Sequence, residues 1–373
     1  MAGPLASLKV VEFSGLGPAP LAGQLLADLG AHVRVVDRAS ARAADASDVN
    51  RRGKQSIALN LKTDAGRDVA RALIARSDIL IEGFRPGVME RLGLGPEACP
   101  DRLIYGRITG WGQDGPLAQR AGHDLTYLAL SGALSLMGPA DRPPAPPLNL
   151  IADYGAGTMF LLFGVLAALV ERGITGKGQV VDAAMVDGVP AMMGLLHGMM
   201  ARGTWSDSRG SNWLDGGAPF YRCYTCADGR HVAVAALEPQ FYAELLAGLG
   251  LAAADLPAQN DQAHWPEMHA RFEARFAARP RDEWARHFEG TDACVAPVLS
   301  VAEAAEHPHL AARATYVRQA DVLQSGTAPR FSRTPADAPA RPTAPGAGAE
   351  AILAELGHDA GAIAALRAQG ALA

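Results

Sequence analysis

Leu8-Lys-Val-Val-Glu-Phe-Ser14, Gly15-Leu-Gly-Pro-Ala-Pro20, Leu21-Ala-Gly-Gln-Leu-Leu-Ala-Asp-Leu-Gly30 and His32-Val-Arg-Val-Val-Asp-Arg38 follow one another near the N-terminus. The first block has the short β-branched pattern of a strand. The second is a Gly-Pro turn. The third has helical spacing with Gly30 as its stop, and the fourth is a second strand. Together they make a βαβ unit, which requires parallel strands. The pattern continues with a helix over 64–77, strands over 79–82 and 103–108, and a strand after Gly176. Alternation of this kind predicts an α/β fold with a doubly wound, Rossmann-like sheet.

Beyond the first strands the chain changes character. Two apolar helices are expected, from about 124 to 136 and from about 154 to 171, joined by the stiff Pro143-Pro-Ala-Pro-Pro147 connector. The apolar run from Met159 to Val170 is short for a bilayer and reads as a buried core helix. A Met-rich helix carries Met192, Met193, Met199 and Met200, a cluster that reads as core packing. The texture shifts near Asp215-Gly-Gly-Ala-Pro219. A hairpin over 220–236, turning at Asp228-Gly229, and helices near 240–250, 266–278 and 281–289 read as a smaller α+β domain. The Pro/Ala/Gly-rich stretch 326–348 reads as a long linker leading to two short helices. The expected division is a large domain of residues 1–215 and 320–373 and a small domain of residues 216–319.

The 373 residues are 49% hydrophobic, 20% charged and only 6% aromatic. With 41 glycines, helices are expected to pack through small residues at close range. A net charge of −5 argues against whole-chain attraction to nucleic acid or membrane. Four cysteines are too few for a disulfide scaffold. Cys223-Tyr-Thr-Cys226 has redox or zinc half-site spacing, but on a strand its two thiols point to opposite faces, and no second pair lies nearby. The N-terminus lacks the basic and apolar regions of a secretory signal, so a cytoplasmic protein is expected.

Gly15-x-Gly17 followed by Asp37 has some of the spacing of a dinucleotide fingerprint. Pro18 and Pro20 remove N–H donors a pyrophosphate would use, so a tight strand-to-helix turn is the better reading. Arg38 follows a strand's carboxyl end, Arg51, Arg52 and Lys54 form a basic loop, and Arg85 and Arg91 follow the 79–82 strand. Such guanidinium groups suit a phosphate-rich ligand. His123 in Gly122-His-Asp-Leu-Thr-Tyr127 and Asp153 in Asn149-Leu-Ile-Ala-Asp-Tyr-Gly155 each stand where an apolar helix begins. Either is suited to capping. Facing one carbon, they could instead remove a proton from one side and return it to the other.

Seven blocks extend this pattern: Val35-Val-Asp-Arg38, Ile81-Glu-Gly-Phe-Arg-Pro86, Gly110-Trp-Gly-Gln-Asp-Gly-Pro116, Gly122-His-Asp124, Pro147-Leu-Asn-Leu150, Gly178-Gln-Val-Val-Asp182 and Asp215-Gly-Gly-Ala-Pro219. With them the whole chain resembles the α-methylacyl-CoA racemases of the family III CoA-transferase superfamily. The resemblance implies a Rossmann-like domain that binds CoA rather than NAD, and a smaller α+β domain joined to it by long linkers. It implies an interlocked homodimer with active sites at the subunit interface. It also implies a 2-methylacyl-CoA substrate of fatty acid metabolism, with no metal or redox cofactor, no nucleic acid and no membrane insertion. It makes His123 and Asp153 the two bases, toward the S- and R-configured substrate respectively. It makes Glu238 the carboxylate that orients His123 from across the dimer, with Asn149 and Tyr127 holding Asp153 and the pocket. CoA contacts fall on Arg38, Leu59, Asn60, Leu61, Lys62, Arg85, Arg91, Gly122, Asp124, Leu125 and Thr126.

Two finer expectations follow. The Asp153 amide would bind the thioester oxygen as an oxyanion hole, worth roughly 3–4 kcal/mol. Tyr127, at i+4 from His123, or Glu238 would fix the imidazole tautomer. The alternative chemistry is CoA transfer between carboxylic acids through an aspartyl anhydride at Asp153.

Overall fold

The computed structural model describes residues 3–40 and 47–372, so the first two residues of the N-terminus read above lie outside it. The chain forms two compact units, 1–131 with 148–192 and 308–373, and 132–147 with 193–307.

The first unit is built on β1 (Lys9–Phe13), β2 (His32–Arg38), β3 (Gln55–Leu59), β4 (Ile79–Glu82), β5 (Ile104–Thr109) and β6 (Val180–Ala184), all parallel. Their order, β3-β2-β1-β4-β5-β6, is the doubly wound arrangement, which places ligands beyond the carboxyl ends of the strands. Between them lie α1 (Pro18–Asp28), α2 (Asp64–Ala75) and α3 (Val88–Arg91). Pro18 and Pro20 sit in the first turn of α1, where a missing N–H costs nothing, so the expected Gly-Pro turn is already helix. Thr63 caps α2 by accepting from Gly66 N at 3.1 Å.

The first apolar helix is shorter than expected. It ends as α4 (Asp124–Leu130), because Gly132 enters the left-handed region at φ 85°. The second is longer and starts earlier. Residues Leu150–Met159 wind as a π-helix that runs directly into α5 (Phe160–Thr175). α6 (Met185–Met192) packs on it through small residues. A Cβ added at Gly188 would sit 2.5 Å from the Ala156 carbonyl oxygen. The expected buried core helix is largely exposed here. Only 33% of the most apolar window of this 26-residue helix is buried, and that window's mean hydropathy of 1.7 makes the helix long and apolar enough to cross a bilayer by length and composition. Phe163, Leu166, Val170 and Ile174 form an exposed stripe along α5.

The second unit contains α7 (Gly194–Ala201), the sheet β7 (Tyr221–Thr225), β8 (His231–Ala235) and β9 (Val295–Pro297), and α8 (Pro239–Leu249), α9 (Trp265–Phe276), α10 (Arg281–His287) and α11 (Val301–Glu306). The hairpin turns at Asp228-Gly229, with Gly229 at φ 74°. Phe220, Tyr224, Trp265, Phe272, Phe276 and Trp284 fill its core. Cys223 is exposed and Cys226 buried, as opposite strand faces require. The boundaries differ from those read in the sequence. Residues 132–147 and 193–215 join this unit and 308–319 the first, because the chain leaves the first unit where α4 and α6 end.

The chain then returns to the first unit with α12 (Pro308–Ala312), a hairpin of β10 (Tyr316–Gln319) and β11 (Val322–Ser325), α13 (Ala349–Leu356) and α14 (Ala360–Ala368). The expected linker 326–348 is a strap over the free edge of β3. Gly348 N donates to Ser56 O at 2.8 Å, Gly346 N to Ser56 Oγ at 2.8 Å, and Asn60 N to Ala371 O at 2.9 Å. Ile352, Leu353, Ile363, Leu366 and Leu372 join the core around β3 and α2.

Candidate active site

The carboxyl ends of β1, β2, β4 and β5 open onto two adjoining cavities of about 760 Å³ and 720 Å³. Ser14, Arg38, Phe84 and Arg85 line both.

His123 and Asp153 line the larger cavity together with Tyr127, Gly122 and the Gly15–Ala19 turn. His123 is the exposed N-cap of α4. Its backbone N–H donates to Thr126 Oγ1 at 3.0 Å, and Thr126 N donates to His123 O at 2.8 Å. Thr126 thus closes the turn through both its hydroxyl and its backbone N–H. Asp153 lies in the first π-helical turn rather than at a cap, and it is half-buried. Burial, then the Asp124 carboxylate, raise its pKa, while the Asn149 amide and His123 pull it down. Gly17, at φ 69°, takes the left-handed conformation that favours glycine, and a side-chain carbon there would meet Asp153 Oδ2 in ordinary contact at 3.7 Å. The Gly-x-Gly turn thus shares a cavity wall with an acid–base group.

Tyr127 sits beneath this pair. A Cβ at Gly110 would come within 1.9 Å of its ring, and one at Gly122 within 2.5 Å, so both positions need glycine. Trp111 packs edge-on against it at 4.8 Å. Burial, then the Asp153 charge, push the phenol up to about 12, keeping it protonated at neutral pH. No bond joins Tyr127 to the His123 imidazole among the described residues, so it does not fix the tautomer in this conformation.

The second cavity brings together Arg38, Leu59, Asn60, Leu61, Lys62 and Arg85. Arg120, which sequence reasoning missed, lines the His123 cavity beside Arg38 and Arg85. Arg38, Arg85 and Arg120 form no side-chain bond to another described residue, whereas Arg34, Arg51, Arg52, Arg67, Arg71 and Arg107 in the same unit are all paired with carboxylates. Unpaired guanidinium groups clustered on a concave wall are suited to an anionic ligand. The only sequence signal for Arg120 was its position two residues before Gly122.

Other expectations change. The basic loop is not free: Arg51 pairs with Asp37, Arg52 with Asp28 and Lys54 with Glu12, each at 2.6 Å. Asp124, Leu125 and Thr126 line neither cavity, nor does Arg91, whose guanidinium folds over Gly87. The expected oxyanion hole is occupied, because the amides of Ala152 and Asp153 both donate to Asp124 Oδ2 at 2.8 Å. Glu238, in the second unit, is the exposed N-cap of α8. Its turn is held by Gln259, whose amide donates to Ala236 O and Leu237 O at 3.2 and 2.9 Å. Among the described residues no group of three or more His, Cys, Asp or Glu is placed to hold a metal ion.

The chain as a whole is similar to known proteins. The mouse protein named alpha-methylacyl-CoA racemase is 47% identical over 89% of this chain and 87% of its own length. The human protein of the same name is 46% identical over the same shares. The crystal structure of a CAIB/BAIF family protein from Brucella suis superposes with a TM-score of 0.82 at 28% identity, covering 95% of this chain and all of that one. The model of CoA-transferase family III matches residues 5–351, and the chain belongs to that family.

Proposed function

We propose that the protein interconverts (R)- and (S)-2-methylacyl-CoA thioesters by α-proton transfer through an enolate. The observation that carries this reading is two acid–base side chains, His123 and Asp153, lining a cavity that adjoins another lined by cations with no carboxylate partner among the described residues. One base removes the α-proton, and the electron pair moves to the thioester oxygen. The other, entering protonated, returns a proton to the opposite face. His123 acts first on the S-configured substrate and Asp153 on the R-configured one. The raised pKa of Asp153 brings it nearer to the proton affinity of an imidazole, which favours reversible transfer. CoA is part of the substrate, and neither a metal nor a redox group is required. Its phosphates would meet Arg38, Arg85 and Arg120, with Leu59 to Lys62 along the nucleotide.

The protein would act as a homodimer. The exposed stripe of Phe163, Leu166, Val170 and Ile174 would be the apolar face that a second copy covers. Glu238 of the second subunit would then orient the His123 imidazole.

Incubation in D₂O with (S)-2-methylacyl-CoA and no acceptor acid should place deuterium at C2 as the stereochemistry scrambles. No exchange, together with CoA transfer once a carboxylic acid acceptor is added, would overturn the proposal and make Asp153 the nucleophile of a transferase. His123→Ala should lower racemisation by at least about a hundredfold, the usual scale for a general acid–base group. CoA affinity, read by calorimetry, should change little.

A further inference from the structure

Asp124 follows His123 in the chain, opens α4 and is only 5% exposed. Its Oδ2 accepts from both Ala152 N and Asp153 N at 2.8 Å. Its Oδ1 is equally buried and accepts no hydrogen bond. No cation is paired with it among the described residues. Burying a carboxylate with one oxygen bare is unfavourable, so such an arrangement needs a compensating role. The two bonds it does make run from the helix that begins at His123 to the turn that carries Asp153. They are also the only bonds between side chain and backbone that link the two acid–base segments among the described residues.

We propose that Asp124 is a positioning residue, clamping the Asp153 turn to the His123 helix so that one carboxylate fixes both acid–base groups. This rests on the racemase reading and adds a residue to it. Asp124 lines neither cavity and so acts through its neighbour rather than on the substrate. The clamp has an electrostatic side as well. Asp124 is a like charge behind Asp153, while His123 and Tyr127 are the other titratable groups acting on or beside that carboxyl. The helices α1 and α6 also pack against the π-helix, but neither Asp28 nor Asp187 on them contributes to the shift. Removing the Asp124 charge while keeping an acceptor should therefore ease ionisation of Asp153.

The test compares Asp124→Ala with Asp124→Asn in the full-length protein. An Asn carbonyl can accept from the same amides, and Ala cannot. The Ala variant should lose about a hundredfold in kcat for α-proton exchange, the scale expected of misplacing a reacting group, with KM for the acyl-CoA within threefold. The Asn variant should recover at least tenfold of that loss. Its acid limb of kcat/KM toward the (R)-thioester should move to lower pH. Equal impairment of the two variants, a kcat within threefold of the parent in the Ala variant, or a rise in KM alone would overturn the clamp. If the Ala variant fails to fold, an unshifted acid limb in the Asn variant overturns it. Amide hydrogen exchange across residues 148–156 needs no substrate. Protection lost in Ala and kept in Asn supports the clamp, and unchanged protection in both counts against it. A parent protein that exchanges no α-proton would count against the racemase reading, while this measurement would still judge the clamp.

Discussion

Glu82 ends β4 directly under the wall that carries Arg85, and it is 3% exposed. Phe84 N donates to its Oε2 at 2.7 Å, and Arg107 Nε lies 3.2 Å from Oε1. Burial outweighs both contacts and raises its pKa to about 7. The folded protein therefore keeps a proton on Glu82 that the unfolded chain has already released. Stability falls as pH rises from about 4.5 to about 7 and is level beyond that window, by up to roughly 3 kcal/mol from this group. Glu82→Gln should remove that slope. The difference in unfolding free energy between parent and variant, measured by urea titration across pH 4 to 8, should change over the window, and parallel curves would refute it. Such couplings are invisible in sequence, because Glu82, Arg107, Glu90 and Asp182 come from β4, β5, α3 and β6 and meet only in the folded unit. His123 and Asp153 were legible as candidates from their places at helix starts. The occupation of the Asp153 amide by Asp124 was not, since it joins segments on different helices.

At the scale of elements, the strands and helices of residues 8–38 were readable from periodicity alone, and so was the hairpin at Asp228-Gly229. The strand β3 was not. Its sequence Gln55-Ser-Ile-Ala-Leu59 is short and half polar or small. The structure gives the reason: a Cβ on Gly346 would lie 3.4 Å from Ala58 Cβ, and one on Gly348 3.1 Å from Ser56 O, so the strap needs small residues along this edge. The helix α5 misleads in the other direction. Its continuous apolarity suggests a core, yet Phe163, Val170 and Ile174 are 74%, 71% and 84% exposed. Replacing Phe163 and Ile174 together with Glu should convert the proposed dimer into a monomer in sedimentation equilibrium. A dimer that persists would place the subunit contact elsewhere.

For the whole molecule, the decisive feature is how distant chain segments are tied to the sheet edge. Arg52, 1% exposed, pairs with Asp28 and reaches Gln324 Oε1 and Ser325 O at 2.8 and 2.7 Å. Arg51 likewise bonds Asp37 on β2 and Thr343 O in the strap. Composition marked this loop as basic, but only the fold shows that its charges are spent internally. Arg52→Met should destabilise the protein by about 3–5 kcal/mol, because Asp28 is left buried without its cation. Adding Asp28→Leu should recover much of that loss in calorimetry, and an undiminished melting temperature in the single variant would contradict the assignment. The same strap has a consequence for synthesis. The first 131 residues complete five of the six strands, yet the outer edge of β3 meets its covering segment only at residues 342–372. While the second unit is being made, the nascent chain carries an open strand edge and the uncovered faces of Ile57, Leu59, Val69 and Leu73, the kind of surface that recruits chaperones or other unfinished chains.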